Sequence, residues 1–134
     1  MCMTLNSLST ADDIFQDKEE IICYKIVKKD RSSPFYGFGP RRTYYNTDDV
    51  VVSDRRYSSL SSLERLDMLI VDGLHLCQDR ENAVNSLTYL REAYDIEGEV
   101  ISVSVKREHF VATGWWSERP SLTCIVATQC TVLE

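Results

Sequence analysis

Only two histidines, three prolines and five glycines occur in this 134-residue chain, and each scarcity excludes a class of function. With His75 and His109 alone, a metal centre needs further ligands, and no spacing among Cys2, Cys23, Cys77, Cys124 and Cys130 supplies them. No C-x-x-C pair exists, so a zinc ribbon or thioredoxin-type motif is excluded, and the odd cysteine count fits reduced thiols. The nearest thing to a glycine-rich loop, Gly37-Phe-Gly39, is too short to cradle a phosphate, and no helix follows it. A G-x-S-x-G elbow for a serine nucleophile is missing. No apolar run is long enough to span a membrane, and residues Met1 to Thr10 lack the basic and apolar stretches of a signal peptide. A cytoplasmic location is the expectation.

What is present is ordinary in amount and uneven in layout. A hydrophobic content of 43% and a charged content of 27% suit a single globular domain large enough to bury a core. The net charge of −6 divides into −4 over residues 1–24, +4 over 25–56 and −6 over 57–134. Bulk acidity argues against general nucleic-acid binding, since phosphate neutralisation needs a basic surface. The basic stretch, with Lys25, Lys28, Lys29, Arg31, Arg41 and Arg42, could still hold one small anion, or could simply be solvated strand ends and loops.

Residues 1–12 read as a flexible leader and 13–134 as one domain. Glu20 to Lys29 is β-branched and aromatic, which predicts a strand, and Asp30 to Arg41 breaks it with an aromatic-rich loop. Thr43 to Asn46 and Val50 to Ser53 read as short extended pieces. Leu60, Leu63, Leu66 and Ile70 step by three and four, and Ser61 with Glu64 forms a capping box, so a short helix is expected over 58–70. Leu74 to Cys77 is a strand. Asp79 then caps a second helix to about Ala93, with Ala83, Leu87, Leu90 and Tyr94 on one face. Glu99 to Lys106 alternates, with Ile101, Val103 and Val105 packed and Ser102, Ser104 and Lys106 wetted. Phe110 to Thr113 extends it after a break, Gly114 to Pro120 reads as a loop, and Leu122 to Leu133 as one strand or two. The sum is an α+β domain, mostly antiparallel, with five to seven strands and two helices.

The local arrangement around residues 73–83 draws attention first. On a strand, residues two apart share a face, so His75 and Cys77 point one way and Leu74 and Leu76 the other. Asp79 continues the series into the helix cap. One reading is a nucleophile, base or ligand set at a helix N-terminus, where the dipole favours a thiolate or an anion. The other is a central strand buried on both faces, with Cys77 packed under the helix. Trp115-Trp116, with Arg119 nearby, reads as an interface anchor or as a cover for the core edge. Phe35, Tyr36 and Phe38 form a second aromatic loop with the same two readings. Converging with Arg41, Arg42 and His75, these loops would form a pocket of π-faces and positive charge suited to a nucleotide-like ligand.

Tyr24-Lys25-Ile-Val, then Gly73-Leu-His-Leu-Cys before an Ala-containing helix, then Glu99-Val-Ile-Ser-Val-Ser-Val and Phe110-Val-Ala resemble small uncharacterised proteins of phages and their hosts. In that group the strand, cap and helix are similar to the second signature of ADP-ribosyltransferase-like domains. The resemblance implies that His75 stands where the polymerase-type enzymes place a Tyr that stacks on nicotinamide. It implies Tyr24 or Lys25 at their first-strand His or Arg, and Glu118 or Gln129 nearest their catalytic Glu. Without a carboxylate on the ribose the oxocarbenium-like transition state lacks its stabiliser, so transfer should be very slow.

The expectation that follows is a non-catalytic, phage-type accessory or anti-defence protein, acting in the host cytoplasm by binding a host protein, with no metal or cofactor. One alternative is an ADP-ribosyltransferase-like or other nucleotide-processing enzyme that uses NAD through Tyr24, His75 and Gln129. Another is a protein that sequesters a small nucleotide.

Overall fold

The computed structural model describes residues 3–5, 11–34, 44–52, 69–70, 74–116 and 119–134. Its strands are β1 (Met3–Leu5), β2 (Glu20–Lys28), β3 (Val50–Val52), β4 (Leu69–Ile70), β5 (Leu74–Leu76), β6 (Gly98–Lys106), β7 (Phe110–Trp116), β8 (Arg119–Ala127) and β9 (Gln129–Val132). Its helices are α1 (Ala11–Phe15) and α2 (Arg80–Tyr94). Every strand pair is antiparallel, in sheets ordered β4-β1-β7-β8-β5 and β2-β6-β9-β3. The fold is therefore α+β with two helices, and its nine described strands lie in two sheets.

A long hairpin builds both sheets. β6 and β7 are one path interrupted by a 3-10 turn at Arg107–His109, and β8 and β9 are one path interrupted at Thr128. The Thr128 N–H donates to the His109 carbonyl across this double bend at 2.8 Å. Bends of this kind let one strand serve two sheets and turn a corner. On the far side, Tyr24 of β2 and Cys77, just past β5, exchange two backbone hydrogen bonds of 2.8 and 2.7 Å and join the sheets again. The nine-residue ladder of β2 on β6 ends at Gly98, where any Cβ would overlap the Val27 carbonyl.

The core follows from alternation along these strands. Cys23, Val27, Ile101, Val103 and Val105 of one sheet meet Leu74, Leu76, Phe110 and Ile125 of the other. Phe15 of α1 closes this interior, its ring edge-on to Phe110 at 5.9 Å. The opposite faces of β2 and β8 carry Ile26, Cys124 and Val126, which are covered with Leu87 and Leu90 of α2. Each such side chain contributes about 1.5–3 kcal/mol by leaving water. Asp79 caps α2 by accepting from the Asn82 N–H at 2.7 Å. Asp95 stops the helix in the left-handed conformation (φ 54°), its N–H bonded to the Arg91 carbonyl.

Several expectations change. Gly114 to Pro120 is not a loop: β7 runs through Trp116 and β8 starts at Arg119, with Trp116 opposite Arg119. Trp115 and Trp116 are also paired with Thr4 and Met3 of β1. The expected leader thus supplies a strand at Met3–Leu5 and α1 begins at Ala11. The end of the expected helix over 58–70 is strand β4, paired with β1, and residues 58–68 lie outside the described residues. Tyr94, expected on the buried face of α2, is exposed and stacks edge-on with Tyr89. Ser104 is buried rather than wetted, because its hydroxyl bonds the Glu20 carboxylate, which lies over it.

Candidate functional site

The join between β5 and β2 gathers most of the chemistry that is on view. Residues 21, 23, 25 and 27 of β2 share a face, so Lys25 stands between Cys23 and Val27 and enters the interior. Only 4% of it is exposed. Its Nζ donates to the His75 carbonyl at 3.0 Å and lies 5.3 Å from the centre of the buried Tyr45 ring. Burial disfavours the ammonium and brings its pKa down to about 8, while the neighbouring Cys77, Cys130 and Cys124 pull the other way. Burial likewise pushes Cys23 and Cys130 up to about 12 and Cys77 to about 11, so these thiols stay protonated at neutral pH. Tyr45 is also pushed up by burial.

The other face of the join lies under α2. Cys77 is buried there, near Ser86 of α2. His75 is half-buried on the same face, opposite Val126. Tyr24 is half-buried beneath the Arg80 guanidinium, 5.7 Å from its ring centre, and Arg80 reaches the Glu134 carboxylate at 3.5 Å. The strand-buried-on-both-faces reading of Leu74 to Cys77 fits these contacts.

Of the residues named for an enzyme, Tyr24 and His75 occupy adjoining strands. Gln129 sits on β9 opposite Val52, two strands beyond β2. Of the residues named for binding, Phe35, Tyr36, Phe38, Arg41 and Arg42 lie outside the described residues. Trp115 and Trp116 are the last residues of β7 and Arg119 is the first of β8. Among the described residues, no group of three or more His, Cys, Asp or Glu is placed to hold a metal ion, and no helix is long and apolar enough to cross a membrane.

Two features escaped the sequence reading. From sequence Lys25 reads as part of a basic stretch that holds an anion or is solvated, although its odd-numbered neighbours Ile21, Cys23 and Val27 place it on the apolar side of the strand. Arg107 is the second. Its guanidinium bonds the Lys18 and Gln16 carbonyls and the Asp12 carboxylate and lies 5.7 Å from the Phe15 ring, tying α1 to the bend. Glu19, Glu20, Lys106, Arg107 and Glu108 line a shallow pocket beside it.

Among the described residues, no element covers the near end of the outer face of the four-stranded sheet. Ile22, Ser104, Thr131 and Val50 form one register row across β2, β6, β9 and β3. Ile22 is 56% exposed, Val50 57% and Val52 39%. α2 covers the far end of this face, at Ile26 and Val100, and leaves the near end open.

Comparison with family models, curated proteins and solved structures finds no match to this chain.

Proposed function

We propose that this protein acts by binding a partner protein through the outer face of its four-stranded sheet, as a phage-type accessory or anti-defence factor would bind a host protein. The observation that carries the reading is the exposure of Ile22, Val50 and Val52 on one face of the sheet, beside the polar Thr131 and Gln129. Scattered apolar residues on a surface are normal, but here Ile22 on β2 and Val50 and Val52 on β3 flank Ser104 and Thr131 on one face, giving apolar anchors with hydroxyl groups between them. Glu20 and Lys106 stand opposite each other at its border and give a polar rim.

Ile22→Lys combined with Val50→Lys tests the reading. Immobilised protein carrying both changes should lose its partner from host-cell lysate by about tenfold or more, the effect of removing a packed anchor. Val84→Lys, on the exposed side of α2, should leave capture intact. Equal capture by both variants would contradict the proposal.

A further inference from the structure

Cys77 and Cys124 occupy a special position in the hydrogen-bond pattern of the sheet. β5 pairs with β8 through Leu74 and Ala127, His75 and Val126, and Leu76 and Ile125. The ladder ends there, and the same register carried one position further sets Cys77 opposite Cys124. In an antiparallel sheet the N–H and C=O of a residue point to the same side. Those of Cys77 are both bonded to Tyr24 on β2, so toward β8 Cys77 stands at a position without backbone hydrogen bonds. Opposed residues at such positions have Cα atoms only about 4.5 Å apart and the closer side chains of the two pair types. A disulfide accepts Cα separations of about 4.4–6.8 Å.

Facing agrees with spacing. Cys124 alternates with Ile125 and packs with Val126, Leu87 and Leu90 on the side covered by α2. Cys77 meets Ser86 of the same helix. Cys23 belongs instead to the interior on the other face of the strands, as does Cys130. Among the described residues, these are the two thiols on the helix-covered side that the β5–β8 register, carried one position past Leu76, sets opposite each other, and neither is in a disulfide here.

We propose that Cys77 and Cys124 form a reversible cross-strand disulfide, a modification site that fastens β5 to β8 where α2 begins. The oxidant is a small-molecule disulfide such as oxidised glutathione. The Cys77 thiolate attacks it and releases one glutathione thiolate, and the Cys124 thiolate then displaces the second. One protein S–S bond forms, one glutathione S–S bond breaks, and the two protons of the protein thiols pass to the two glutathione thiolates. Burial holds Cys77 as the thiol, so closure is slow at neutral pH and faster as pH rises.

The test uses the full chain in two arms. Folded protein is held in oxidised glutathione at mildly alkaline pH, and unfolded, reduced protein is refolded in a glutathione redox buffer, where access to the thiols is not limiting. Free thiols are then alkylated and the chain is digested without reduction. The expected product is a peptide pair linking Cys77 to Cys124, in a form that melts roughly 10 °C higher and returns to the original midpoint after reduction. In Cys124→Ala, which keeps a small apolar residue in the core, Cys77 should remain unbridged. The proposal is overturned if neither arm yields the 77–124 link, if the linked form melts at or below the reduced one, or if Cys77 pairs with Cys23 or Cys130 in the variant.

Discussion

The valines of β3 and the residues Cys124 to Ala127 of β8 are similarly apolar, yet the fold treats them differently. In β3 only Val51 is buried, while Val50 and Val52 face solvent. In β8 four consecutive residues are buried, because the interior covers Ile125 and Ala127 and α2 covers Cys124 and Val126. An apolar run states that a segment suits a strand. It does not state how many of its faces will be covered. That depends on rank within the sheet: β8 lies between two strands and beneath a helix, whereas β3 is the edge of its sheet among the described residues.

Substitutions should separate the two regions sharply. Ile125→Ala opens a cavity between the sheets and should cost about 3 kcal/mol, whereas Ile22→Ala on the open face should change stability by less than about 0.5 kcal/mol. Denaturant titration of both variants measures the contrast, and similar losses would mean that the open face is covered after all.

Lys25 makes a second contrast, a cation inside the region that is otherwise apolar. Its pKa is about 8 folded against an ordinary 10.5, so the folded state carries a penalty for the charged form. The penalty is in force below pH 8. It is relieved as pH rises from about 8 to 10.5, because there the unfolded chain holds a proton that the folded chain has released. Lys25→Met should therefore be more stable than the parent at pH 7, by up to the order of 3 kcal/mol. The gap should narrow steadily toward pH 10. Paired unfolding curves at pH 7 and pH 9.5 check this, and a variant less stable at pH 7 would show that the bonds to the His75 carbonyl and the Tyr45 ring outweigh desolvation.

A more modest loss than at Ile125 is expected at the helix that covers β8. Asp79→Ala removes the acceptor for the Asn82 N–H and should cost about 1 kcal/mol. Hydrogen exchange should then speed up in the first turn of α2 while the β2–β6 ladder is unaffected.

Local patterns made much of this legible in advance. Asp79 and the spacing of Ala83, Leu87 and Leu90 marked α2, and the alternation from Glu99 to Lys106 marked β6 with its buried side. The strand over Glu20 to Lys29 was equally plain, and so was the placement of His75 and Cys77 on one face. Gly114 and Pro120 misled, since turn-forming residues signal a loop only if no neighbouring strand claims their backbone. Here β1 and β8 bond Gly114 from both sides, and β8 starts just before Pro120.

The sequence by itself determined which segments would be helix or strand over most of the described chain, because periods of two and of 3.6 residues are written in neighbouring side chains. Tertiary structure alone decided the rest. It brought Met3–Leu5 beside β7, bent one hairpin through two sheets, set Lys25 against the His75 carbonyl 50 residues away, and left Ile22 and Val50 uncovered. Each of these outcomes depends on which strand lies next to which. That adjacency comes from pairings between residues far apart in the chain, and no local window of sequence contains both partners.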